Sequence, residues 1–295
     1  MLLKKIDCKK CGYSYDGHIE ECPKCHEKND TFLSLFPNNK MTWVDLWRQL
    51  GIFVLGWIGF NIIGTIYVFI SYIYALSIFP NDLTAAQNFI SSSQNLMLNS
   101  TISYVLLLCG MIAITFPYLK KIFSGYKNPT NILFGLLLGF ALIGASTAYG
   151  IFVASFFKTT GNANETILES LIGDYPVLAI LIFGIVGPIC EEFAYRVGLF
   201  NVLYRTKRWV AYIVTVLVFA FIHFDITALW NVITSYSQTN LDVFINEIVN
   251  LPQYMIAGLI LCFAYERYGF AGSSIAHVLN NLITITSVII SINLR

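Results

Sequence analysis

Residues 176–203 read PVLAILIFGIVGPICEEFAYRVGLFNVL. Apart from Glu191, Glu192 and Arg196, this stretch is apolar and long enough to cross a bilayer core of about 30 Å as a helix of roughly 20 residues. Charges at such depth cost at least about 2.5 to 3.5 kcal/mol each, so they are rare and mark function by default. Glu192 and Arg196 are four residues apart and pair along one helix face. Glu191 then points elsewhere by about 100° and is left available for chemistry. Gly187-Pro188, just upstream, disturbs the helix.

Outward from this stretch the composition is that of a membrane protein. Of 295 residues 56% are hydrophobic and 12% are charged, with a mean hydropathy of +0.66, whereas soluble domains carry about 25% charged residues. Spans are expected near 50–79, 100–119, 131–157, 176–203, 209–228, 249–266 and 270–292. The amphipathic stretch 229–250 is the place where an eighth or re-entrant piece would alter the count. The fold class is therefore an all-α polytopic membrane protein of about seven or eight transmembrane helices, with a small N-terminal zinc ribbon.

Basic residues near the spans orient the chain. With the N-terminus cytoplasmic, Lys120, Lys121, Lys127, Arg205, Lys207, Arg208, Arg267 and the N-terminal lysines all fall inside, and only Lys158 and Arg295 fall outside. This distribution serves orientation, and no nucleic-acid partner is expected. The implied partners are the lipid bilayer and a membrane-associated protein or peptide substrate.

Two further spans carry polar groups at similar depth. His223 closes Phe219-Ala220-Phe221-Ile222-His223, and His277 and Asn281 share a face four residues apart. At about 1.5 Å per residue, Glu191 and His223 lie roughly 20 Å from the cytoplasmic ends and His277 nearer 15 Å. A lone His223 reads as a hydrogen-bonded core histidine and Asn281 as interhelical glue. Their convergence on one level with the two glutamates points instead to a site. Asp225, Ser273 and Ser274 lie near span ends, where polar residues are cheap, and read as ordinary.

At the N-terminus Cys8-Lys9-Lys10-Cys11 and Cys22-Pro23-Lys24-Cys25 form two Cys-x-x-Cys knuckles. Four thiolates complete the closed tetrahedral shell of structural zinc, which folds a module but leaves no position for catalysis. His18 and His26 are read as surface residues. The pattern resembles the short zinc ribbons at the N-termini of many prokaryotic membrane proteins. The expected organisation is a ribbon at 1–29, a linker and juxtamembrane segment at 30–49, and a transmembrane domain at 50–295. Beside the first span, the ribbon is a candidate for docking a partner or substrate.

Glu191-Glu192-x-x-x-Arg196, Phe219-x-x-x-His223 and His277-x-x-x-Asn281 resemble, in order and each on its own span, the motifs of the CPBP family of CAAX prenyl and bacteriocin-processing intramembrane proteases, formerly called Abi. The resembling core covers about 130–292. Membership implies an all-helical membrane fold and peptide-bond hydrolysis within the membrane, with the catalytic groups opening to the cytoplasmic side; the expected location is a prokaryotic plasma membrane. On that basis Glu191 is assigned as general base, His223 as its partner in activating water, and His277 and Asn281 as oxyanion donors. Glu192 and Arg196 support the helix. Two histidines with glutamates are also plausible zinc ligands, so an active-site metal stays open, although His-Glu-x-x-His is absent. Cys190 adjoins Glu191 but faces another side of the helix. Competing readings are a non-catalytic immunity or binding protein on the same scaffold and a transporter with a Glu/His proton path, against which the lack of repeat halves counts.

Overall fold

In a computed structural model of the protein, residues 5–16, 21–27, 44–157 and 163–294 are described. His18 and most of the expected linker lie outside them. The described residues form a two-stranded hairpin, β1 (Lys5–Asp7) and β2 (Ser14–Asp16), followed by helices only. These are α1 (Leu46–Ile78), α2 (Leu83–Ile90), α3 (Ser93–Lys127), α4 (Pro129–Ala154), α5 (Ala163–Asp174), α6 (Pro176–Tyr204), α7 (Arg208–Phe221), α8 (Ile226–Thr234) and α9 (Gln238–Asn293).

Among the described residues α1, α3, α4, α6 and α9 are long and apolar enough to cross a membrane, and α7 with α8, bent by 64°, makes a sixth such unit. Seven stretches were expected. The difference lies in α9, whose 56 residues would reach about 84 Å if straight, nearly three times a bilayer core. Gly269 interrupts it with φ 66°, a left-handed conformation that costs an L side chain a Cβ clash and glycine nothing.

The neighbours of α9 show that the chain reverses at Gly269. In the first limb Tyr268 stacks on Phe134, and the Val249 carbonyl accepts from the Tyr149 hydroxyl at 2.7 Å, so this limb runs antiparallel to α4. In the second limb Ile275 packs at Gly135 and Leu279 at Gly139, so this limb runs parallel to α4. The two limbs correspond to the sixth and seventh expected spans. No additional span occupies 229–250; that stretch is shared between α8 and the start of α9.

The helix α6 is central. Half of its most apolar window is buried, against 6% for α1 and 17% for α4 and α9. It packs through Phe193, Tyr195 and Phe200 onto Phe270, Phe219 and Tyr265 of the surrounding helices. The outer faces of α1 and α4 present Ile, Leu and Phe to the surroundings, as a lipid-facing surface requires.

At one end of the bundle the buried Glu266 ties three elements together. It accepts from Arg208 at 2.6 and 2.8 Å, from Tyr204 at 2.9 Å and from Tyr212 at 2.6 Å. Nothing in the sequence distinguished Glu266 from a loop-end residue beside Arg267.

Candidate active site

The site is built on a distorted helix. A proline at 188 cannot donate to the preceding turn, and α6 widens to i→i+5 bonding over Ile182–Val186. It widens again over Glu192–Phe200. Such π segments recur at functional sites because they re-aim side chains without ending the helix.

Both carboxylates consequently reach the same imidazole. Nδ1 of His277 lies 2.9 Å from Glu192 Oε1, and its Nε2 lies 3.7 Å from Glu191 Oε2. The expectation that Glu191 stands wholly apart from the Glu192 face is thereby revised: His277 is held between the two. They still differ in access, since the Glu191 side chain is 21% exposed and that of Glu192 is fully buried.

Glu192 forms the expected pair with Arg196, Oε1 to Nη1 at 3.1 Å, with both side chains fully buried. The guanidinium also sits over the Phe219 ring, 4.5 Å from its centroid. A charge buried this deeply needs compensation on more than one side; the carboxylate and the ring face supply part of it, and Nε and Nη2 of Arg196 have no hydrogen-bond partner.

The spacing Phe219-x-x-x-His223 has a backbone cause. Helix α7 ends at Phe221, and the His223 N–H turns to the Ala220 carbonyl at 3.1 Å instead of continuing the α-helical bond to Phe219. The released Phe219 carbonyl is capped by His223 Nδ1 at 2.8 Å. A carbonyl only accepts, so Nδ1 carries the proton and Nε2 presents a lone pair. The ring is held further by Tyr254, stacked at 4.2 Å and 13°, and by Phe219 at 5.1 Å. Tyr254 was not foreseen, because an aromatic in an apolar span reads as core.

Asn281 donates from Nδ2 to the Phe183 carbonyl at 3.0 Å and accepts at Oδ1 from Asn280 at 3.2 Å. Thus α6, α7 and the second limb of α9 each contribute to one cluster, linked through Phe219, whose ring is 6.0 Å from His277. Cys190 is buried and faces α3, with its thiol 3.8 Å from the Tyr104 carbonyl. Asp225 caps α8 through the Thr227 N–H, and Ser274 bonds the Phe270 carbonyl and the Tyr126 hydroxyl, so both are structural.

The ribbon cysteines do converge. The sulfurs of Cys8, Cys11, Cys22 and Cys25 all lie within 4.8 Å of one another, with Cys8 to Cys25 and Cys11 to Cys22 at 3.5 Å. Zinc bonds of about 2.3 Å in a tetrahedron put sulfurs roughly 3.8 Å apart, so the cluster fits such an ion. The two knuckles share one backbone pattern. Gly12 N–H bonds Cys8 O and His26 N–H bonds Cys22 O, and both Gly12 and His26 have positive φ. His26 is exposed and turned toward Glu21 at 3.9 Å, which leaves the four cysteines as the ligand set. Among the described residues no other group of three or more Cys, His, Asp or Glu has ligating atoms within that distance of one another.

An all-helical membrane protein with a Glu/His centre drawn from three elements is the class defined by this fold and site. Residues 173–283 match the family model for the type II CAAX prenyl endopeptidase Rce1-like family, and all three motifs fall inside that segment, so the resemblance read from them is borne out there. The chain is similar to UPF0177 protein YvdC of Lactococcus lactis subsp. lactis (strain IL1403), with 28% identity over 105 residues. That match covers 36% of this chain and 39% of the relative, so it spans well under half of either protein. No solved structure matches the chain.

Proposed function

We propose that the protein is an intramembrane endopeptidase that hydrolyses a peptide bond of a membrane-associated protein or peptide. The observation that carries this reading is the placement of His277 between Glu191 and Glu192, with His223 presenting Nε2 from the neighbouring helix end. Glu191, the more accessible carboxylate, takes the proton of the attacking water, and His223 Nε2 accepts from the same water and orients it. The proton then passes to the leaving amine.

The tetrahedral oxyanion needs donors. With a proton on each ring nitrogen, His277 would donate from Nδ1 to Glu192 and from Nε2 toward the oxyanion. Glu191, Glu192, Arg196 and His277 would then carry no net formal charge. Asn281 has a second Nδ2–H beyond the one on Phe183, which suits it as the other donor. Glu192 and Arg196 hold the helix.

The ribbon, assigned to 1–29, would hold zinc through its four cysteines and offer a surface for docking a substrate or partner beside the first span. The basic residues support a cytoplasmic N-terminus in a prokaryotic plasma membrane. Substrate classes consistent with the family name are CAAX-type and bacteriocin-related peptides.

The test uses the full chain in proteoliposomes with candidate membrane peptides. Wild type should cleave, and Glu191→Ala and His223→Ala should not. Undiminished cleavage by both variants would overturn the mechanism. Unchanged biological protection by both variants would favour the immunity or binding reading.

A further inference from the structure

Pro188 falls where α6 returns from i→i+5 to i→i+4 bonding, and the Phe183 carbonyl is one acceptor that this leaves without a backbone donor. Over Ile182–Val186 the bonds run i→i+5, and the Gly187 N–H donates to the Ile182 carbonyl. The next bond of that series would run from residue 188 to the Phe183 carbonyl, but proline has no N–H. The α-helical alternative fails as well, because its donor, the Gly187 N–H, is already on Ile182. A backbone acceptor within the bilayer must find a partner inside the protein. The partner is Nδ2 of Asn281, at 3.0 Å. Its orientation is fixed from the other side, where Oδ1 accepts from Asn280 Nδ2 at 3.2 Å.

We infer that Asn281 is a positioning residue that substitutes for the N–H Pro188 cannot supply. It pins the widened turn of α6 about two turns ahead of Glu191. His277, one turn before Asn281 on the same limb, engages Glu191 and Glu192 themselves. The second limb of α9 therefore grips α6 at two levels, and the upper grip sets where the carboxylates stand relative to the imidazole. This role is additional to donating toward an oxyanion, and it makes the requirement for Asn281 conditional on the proline. An oxyanion donor alone would stabilise only the transition state and would be indifferent to residue 188.

The experiment is a double-mutant cycle on the full chain in detergent, with Asn281→Leu, which keeps the shape and removes the donor, and Pro188→Ala, which supplies the N–H. The first readout is thermal unfolding, which does not depend on any activity. Asn281→Leu should lower Tm by about 2–4 °C in the proline background, the scale of one hydrogen bond in a protein of this size. In the Pro188→Ala background the same change should cost less than half as much. Equal losses in both backgrounds would overturn the inference. So would an Asn281→Leu variant as stable as wild type, a result that stands without the proline variants if these do not fold.

The second readout, kinetic, rests on the proposed proteolysis. Asn281→Leu should lower kcat with little change in KM, and Pro188→Ala should restore part of that loss. A wild type that cleaves nothing would count against the protease reading while the stability cycle still decides this one.

Discussion

Nδ1 of His277 bonds Oε1 of Glu192 at 2.9 Å, across 85 residues of sequence. Glu192 also carries Arg196 on the same oxygen, so one buried carboxylate is shared between a cation on its own helix and an imidazole on another. Glu191, next in sequence, has only the 3.7 Å approach to the opposite ring nitrogen. The adjacent glutamates are therefore not interchangeable, and their variants should separate structure from chemistry.

Glu192→Ala is expected to destabilise the protein by roughly 3–5 kcal/mol, because Arg196 is left as an uncompensated buried charge. Glu191→Gln, at a partly exposed position of similar shape, should change stability by no more than about 1 kcal/mol. It should still reduce cleavage by about a hundredfold or more through loss of the base. Thermal unfolding and peptide cleavage on the same preparations check both. Equal destabilisation by the two variants would remove the distinction.

Tyr254 should matter through His223. Its ring lies flat against the imidazole at 4.2 Å, and truncating it to Leu frees a ring whose other restraints come from Phe219. A drop in kcat of about tenfold is expected, the scale of about 1.4 kcal/mol of lost orientation. Tyr254→Phe keeps the stack and should retain most of the activity. In a His223→Ala background Tyr254→Leu should add little, since residues acting as a unit are not additive. A full additional tenfold loss there would show that Tyr254 acts elsewhere.

How much of this was legible in the sequence follows from where the physics is local. Glu191, Glu192, Arg196, His223, His277 and Asn281 stood out because polar groups in an apolar span are costly wherever they point. Their helices were legible for the same reason. What the Glu191 carboxylate faces was not, because α6 departs from the ideal 100° step on both sides of Pro188. The reversal at Gly269 was readable only as a gap between two apolar stretches. Tyr254 and Glu266 gave no signal, since stacking and hydrogen-bond partners arise from packing between distant segments.

The Glu266 node offers a test of stability apart from the site. Four hydrogen bonds converge on its carboxylate from Arg208, Tyr204 and Tyr212. Glu266→Ala takes the acceptor from two tyrosine hydroxyls, while the half-exposed Arg208 guanidinium returns to solvent, and should cost about 2–4 kcal/mol. Glu266→Gln keeps the shape and one acceptor and should cost about half of that. Unfolding in denaturant measures both.

Zinc removal tests the two modules separately. If the ribbon alone holds metal, the wild type should contain about one zinc per chain and a Cys8→Ser/Cys22→Ser variant essentially none, because four thiolates form a closed shell and its loss unfolds the module. Elemental analysis of purified protein reads this directly, and a retained equivalent in the double serine variant would reveal a second site. The knuckles also predict a gain. His26 occupies the positive-φ position that Gly12 fills in the other knuckle, at a strain cost of roughly 1 kcal/mol for a side chain. His26→Gly should relieve part of it and slow zinc loss to a competing chelator by about two- to fivefold, less than the full strain because glycine also loosens the unfolded chain. Faster loss in His26→Gly would instead mean that the His26 to Glu21 contact outweighs the backbone strain.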